Sequence, residues 1–174
     1  MKEQDRILGT VRAMIAKHKT AWATAWRSAW QDVLSLVLRR PRHLQVAALC
    51  YREAGGEKQV LLVTSRRSGR WILPKGWPID GKTAAGAALT EAWEEAGVET
   101  AEKLQPQPVG RYAYLKKFGK GLSVPSEALV FAIPVVRLAE SYPEAAHRKR
   151  RWFTLAEAEK HMREPELKAI LRAF

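Results

Sequence analysis

Residues 76–98, GWPIDGKTAAGAALTEAWEEAGV, constrain this chain more than any other stretch. A loop opened by Gly76 runs into Ala-rich sequence from Thr83 to Ala96. Gly97 follows, a residue able to take the left-handed conformation that ends a helix, so the spacing predicts one helix with a defined stop. Within it Glu91, Glu94 and Glu95 are related by i,i+3 and i,i+4, which gathers their carboxylates on one turn. They also sit at the C-terminal end, where the helix dipole is already negative. Three acids crowded there repel one another, an arrangement that a bound cation relieves. The plainer reading of an isolated E-x-x-E-E is a solvated helix face, and only its surroundings separate the two.

Those surroundings are mixed α/β. HLQVAALCYRE and KQVLLVTSR are strand-like runs divided by Ala54-Gly55-Gly56, a hairpin signal. WILP is a short strand leading into the Gly76 loop. VGRYAYLKKF and EALVFAIPVV are two further strands, joined by KKFGKGLSVPS, a loop that would carry Lys116, Lys117 and Lys120. RRWFT is a last strand, Thr154 to Glu157 reads as a capping box, and Pro165 suits the first turn of a final helix. Residues 43–174 therefore read as one domain.

Residues 1–42 differ. Ile7, Val11, Met14, Ile15, Trp22, Trp26, Trp30 and Val33 recur at three- and four-residue steps, predicting an amphipathic helical extension that Pro41 ends. Nine Lys/Arg against three Asp/Glu give it a net +6, half of the chain's +12. Three readings stay open: a helix packed on the domain or on a second copy as a homodimer, a membrane-surface helix, and an Arg-rich targeting segment. No run of about 20 apolar residues predicts a transmembrane span. A secretory signal is not expected from the polar start, and lone Cys50 in the apolar run VAALCY fits a reducing, cytoplasmic setting. The basic balance points to an anionic partner, either a phosphate-rich small molecule or nucleic acid.

The spaced pattern of residues 76–98 resembles the Nudix box: Gly, five residues, Glu, seven residues, then Arg-Glu-apolar-any-Glu-Glu-any-Gly-apolar. Gly76, Glu91, Ala92, Glu94, Glu95, Gly97 and Val98 take their places in it, while Lys82 stands for the first Glu and Thr90 for the Arg. The resemblance implies an α/β/α sandwich around a mixed sheet and a phosphohydrolase that uses magnesium, or manganese in its place. It implies Glu91 and Glu95 as metal ligands, the Gly76 carbonyl as a third, and Glu94 as another ligand or the group accepting the water's proton. Glu127, before the strand ALVFAI, is a second candidate base, because some relatives place that residue outside the box. In the family the two replaced side chains are viewed as a supporting ion pair, so their joint loss suggests a reworked support rather than a lost site.

Outside the box, residues 44–162 resemble the diphosphoinositol polyphosphate phosphohydrolases, through Ser65, Arg66 and Arg67 after the second strand and the run Arg148, Lys149, Arg150, Trp152, Phe153 near the end. Pro74-Lys75-Gly76 instead is similar to the asymmetric diadenosine-polyphosphate hydrolases. Either substrate is a polyanion, for which Arg is a bidentate and Lys a point-charge partner. Arg66, Arg67, Arg70, Lys75, Arg148, Lys149 and Arg150, with Ser65, are the candidate phosphate contacts. Trp77 either stacks on a ring or packs on the sheet, and packing is the favoured reading. A fold that binds RNA or polyphosphate without cleaving it is the alternative.

Overall fold

The computed structural model describes residues 43–118 and 122–174. The N-terminal extension, and with it the Trp-rich stripe and the dimer reading, lies outside the described residues, as does Lys120. The described part is an α/β/α sandwich. Its strands are β1 (His43–Ala54), β2 (Glu57–Thr64), β3 (Trp71–Ile72), β4 (Lys75–Gly76), β5 (Val98–Glu99), β6 (Gln107–Phe118), β7 (Leu122–Pro134), β8 (Arg137–Leu138) and β9 (Arg150–Thr154). Its helices are α1 (Ala84–Ala96), α2 (Leu155–His161) and α3 (Pro165–Ala173).

The main sheet is mixed. Strands run in the order β3-β2-β1-β7-β6, with β4 added on β1 and β9 on β2. β1 and β7 are parallel, with Val46 opposite Leu129, and the other pairings are antiparallel. Side-chain alternation splits the interior into two cores. Val46, Ala48, Cys50, Leu61, Val63, Phe131 and Ile133 pack beneath α1. Ala47, Leu49, Val60, Leu62, Ala128 and Val130 face α2 and α3, where Ala158, Leu167 and Leu171 close the layer. Burying Leu167 and Leu171, one turn apart, contributes about 1.5–3 kcal/mol each.

The helix boundaries follow local chemistry. Thr83 caps α1 by accepting from the Gly86 N–H at 3.1 Å, and Gly97 ends it at φ +64° with its N–H on Trp93 O at 2.8 Å. α1 meets the sheet through Ala87, Ala88, Ala92 and Ala96, a stripe of methyl groups that lets the helix backbone lie close. Thr154 and Glu157 form the expected reciprocal capping box at 3.0 and 3.3 Å.

Three features depart from the expectations. Lys75–Gly76 is itself a short strand on β1, pairing with Ala47 and Val46, so the loop into the box is anchored to the sheet. β5 and β8 form a separate two-stranded ladder too short to leave a sequence pattern. The basic connection is also shorter than its composition suggests: β6 continues to Phe118 and β7 starts at Leu122, so Lys116 and Lys117 belong to a strand.

Candidate active site

Gly76 and the last turns of α1 meet at one end of the sheet. There Gly76 is buried, and a Cβ added to it would lie 1.8 Å from Glu91 Oε1. The carboxylate of Glu91 thus rests in the space a side chain at 76 would take, beside the backbone of β4. Among the described residues no hydrogen bond or ion pair holds it. Burial pushes its proton affinity up to about 7, with Glu95, Glu94 and Glu144 adding repulsion in that order.

Glu95, four residues on, is buried and fully engaged. One oxygen accepts from the Lys75 N–H at 3.1 Å and the other from Arg148 Nη2. Burial raises its proton affinity against the opposing pull of Arg148 and of the Lys75 N–H. Glu94 is exposed on the same turn. These acids line a cleft of about 1360 Å³, whose other walls carry Gln45, Tyr114 and, at the far end, Glu164. Among the described residues no three His, Cys, Asp or Glu side chains are placed, as they stand, to hold a metal ion together. Glu91, Glu94 and Glu95 supply hard oxygen donors on one turn of α1, the ligand type suited to a cation that keeps several of its waters.

The candidate phosphate contacts separate into two groups. Ser65, Arg66, Arg67, Arg70 and Lys75 line the cleft. Arg67 is exposed, Arg66 reaches Glu144 at 3.4 Å and Arg70 reaches Glu164 at 4.0 Å. Ser65 shapes their turn, with its hydroxyl 2.6 Å from Ser68 Oγ. Lys75 Nζ lies over the Tyr114 ring at 5.5 Å, and burial lowers its proton affinity while Glu95 opposes. Lys149 is exposed and lines a neighbouring hollow of about 620 Å³ with Arg66 and His147.

Arg148 also lines the cleft, but it and Arg150 are bonded to the protein itself. Both turn toward α1: Arg148 holds Glu95, Glu144 Oε2 and the Thr64 carbonyl, and Arg150 Nη1 donates to Ala96 O at 2.7 Å. Residue alternation entering β9 sends 148 and 150 one way and 149 the other. Glu127 also stands apart. It does not line the cleft, its carboxylate meets Arg111 Nη1 at 3.5 Å, and it shares the face of Leu129 and Phe131 on β7. Trp77 belongs to neither core. It is 39% exposed, with Lys116 Nζ 4.0 Å over its face and His43 against its edge.

Glu144 was not foreseen. It lies in a turn four residues before Arg148, its N–H bonds Glu94 O at 3.0 Å, and the E-x-x-x-R spacing was the available signal. Lys82 and Thr90, the two replaced box positions, touch each other: Lys82 Nζ donates to Thr90 Oγ1 at 2.7 Å, and that hydroxyl donates to Gly86 O at 3.1 Å. The pair therefore still ties the box loop to α1, by an exposed neutral acceptor instead of an ion pair. Lys82→Met is expected to change stability by no more than about 0.5 kcal/mol and turnover by less than about threefold, read by thermal melts and initial rates.

A glycine-opened loop, a helix ending in glutamates and a cationic cleft on an α/β/α sandwich define a Nudix-type site. The chain belongs to the Nudix hydrolase family: residues 41–174 match the NUDIX domain. It is 33% identical over 159 residues to Nudix hydrolase 21, chloroplastic, of Arabidopsis thaliana, covering 83% of this chain and 77% of that one. It is 31% identical over 116 residues to diphosphoinositol polyphosphate phosphohydrolase 3-alpha of Mus musculus, covering 66% and 65%. In fold it is similar to the Ap4A hydrolase of C. elegans, with TM-score 0.56 at 22% identity over 75% of this chain and 94% of that one. Among the described residues no helix is long and apolar enough to cross a membrane.

Proposed function

We propose that this chain is a divalent-cation-dependent phosphohydrolase. Its substrate is a polyphosphorylated molecule of the diphosphoinositol polyphosphate or diadenosine polyphosphate class, cut at a phosphoanhydride bond. The observation that carries this reading is the Glu91 carboxylate, seated against Gly76, facing three other acids and without a hydrogen-bond partner among the described residues. The donor chemistry fits a hard cation: Glu91 and Glu95, with the Gly76 carbonyl, would hold magnesium or, in its place, manganese. When bound, such an ion neutralises phosphate charge and makes a water acidic enough to attack at neutral pH.

The chain's own groups do the rest. Glu95, fixed at both oxygens, keeps one ligand from wandering. Glu94, exposed at the cleft and outside that network, accepts the proton of the attacking water. Arg66, Arg67, Arg70 and Lys75 hold the phosphates along the cleft wall, with Lys149 at its neighbouring hollow. The excess of basic over acidic residues in residues 43–174, half of the chain's +12, draws polyanions to that wall.

The test is a panel of diphosphoinositol polyphosphate, diadenosine polyphosphate, capped RNA and nucleotide sugar, with products identified in the presence and absence of magnesium or manganese. Metal-dependent cleavage of one of the first two is the expected result. Tight binding with no turnover of any substrate would leave a polyphosphate- or RNA-binding module and overturn the reading.

A further inference from the structure

The last turn of α1 carries no basic residue of its own, although Glu91, Glu94 and Glu95 crowd its end. The compensating cations come from the segment entering β9. Each of the three nitrogens of Arg148 donates to a different oxygen: Nη2 to Glu95 Oε1, Nε to Glu144 Oε2 and Nη1 to the Thr64 carbonyl at 3.0 Å. The Arg148 side chain lines the cleft but is only 7% exposed, its guanidinium being taken up largely by these three bonds. Two residues later Arg150 binds the Ala96 carbonyl, and the Glu144 N–H binds the Glu94 carbonyl from the same segment. The other Glu95 oxygen is taken by the Lys75 N–H. Residues 144–150 thus clasp the acidic end of α1 from outside the box.

We propose that Arg148 is a positioning residue: it fixes the orientation of Glu95, with Glu144 as its anchor, and does not bind substrate phosphate. The inference rests on the reading of Glu91 and Glu95 as a cation site. A substrate contact and a positioning residue have opposite signatures. Loss of a phosphate contact raises KM and leaves cation binding without substrate untouched. Loss of a residue that orients a ligand weakens cation binding and lowers kcat, typically by about 10–100-fold.

The experiment titrates the full chain with Mn²⁺ alone, counting free ion by electron paramagnetic resonance, and then measures kcat and KM with saturating metal. Arg148→Lys keeps the charge but cannot reach three oxygens at once. It is expected to raise the Mn²⁺ Kd about 10-fold or more and to lower kcat similarly, with KM within about twofold. Glu144→Gln, which leaves Arg148 in place and loosens only its anchor, is expected to move both quantities the same way by about threefold. It decides the matter if Arg148→Lys does not fold. An unchanged Mn²⁺ Kd in either folded variant, with or without a raised KM, overturns the inference. Wild-type protein that takes up no Mn²⁺ would instead overturn the cation reading itself, and this inference with it.

Discussion

Glu91→Gln is expected to remove nearly all hydrolysis, by about 1000-fold in kcat/KM, while making the metal-free protein more stable above neutral pH. The first effect follows if Glu91 is a ligand, because withdrawing one carboxylate from the cation costs several kcal/mol of transition-state stabilisation, and each factor of ten is about 1.4 kcal/mol. The second follows from the carboxylate's surroundings. Folded, Glu91 keeps its proton up to about 7, against an ordinary value of 4.5. Between those values the folded chain binds more protons than the unfolded one, so stability from this group is full below 4.5 and is lost as pH rises through 7. The full shift corresponds to about 3.4 kcal/mol, and solvent screening of a half-exposed group reduces that to about 2 kcal/mol.

Gln has no proton to lose, so the variant lacks this slope. Metal-free melts at about pH 8 should show it higher than wild type by roughly 4–8 °C, with the gap closing toward about pH 5. A variant that is inactive and also less stable at both pH values would contradict the placement of the Glu91 carboxylate, without a hydrogen-bond partner among the described residues, beside three other acids.

Gly76→Ala is expected to lower kcat/KM by about 100-fold with little change in melting temperature. The three nearest atoms a new methyl would meet all belong to the Glu91 carboxylate, at 1.8, 2.1 and 2.5 Å. That group ends a flexible side chain, so it swings aside and the backbone of β4 stays paired with β1. The fold survives and the ligand is displaced. Circular dichroism with metal-dependent rates measures both halves, and a variant that keeps full activity would remove Glu91 from the site.

What the sequence made legible was local or periodic. The α1 stop at Gly97, the Thr154 capping box and the β1–β2 hairpin at Gly55-Gly56 each depend on a few adjacent residues, and all formed as expected. The clustering of Glu91, Glu94 and Glu95 was legible for the same reason, since helix geometry fixes it. The bonds of Arg148 and Arg150 to α1 were not legible, because a run of basic residues does not say which alternate positions face inward. That depended on β9 pairing with β2, a long-range contact with no local signal. Glu127, read as lying just before a strand, sits inside β7, where its carboxylate meets Arg111, and it does not line the cleft. The Lys82–Thr90 contact was legible only as a coincidence of two departures, until the structure showed the two side chains in hydrogen-bond contact.

The clasp on α1 bears on how the protein is made. Arg148 follows Glu95 by 53 residues, so a chain growing on the ribosome displays its glutamates well before the segment that braces them is translated. β7, β9 and the helices behind them must also arrive before the sheet beneath α1 is complete. Prematurely terminated chains ending before residue 144 would carry the whole box motif yet present a helix end of unrestrained acids. The bracing of the acidic helix end is therefore gained late, as a property of the finished domain and not of the 23-residue motif.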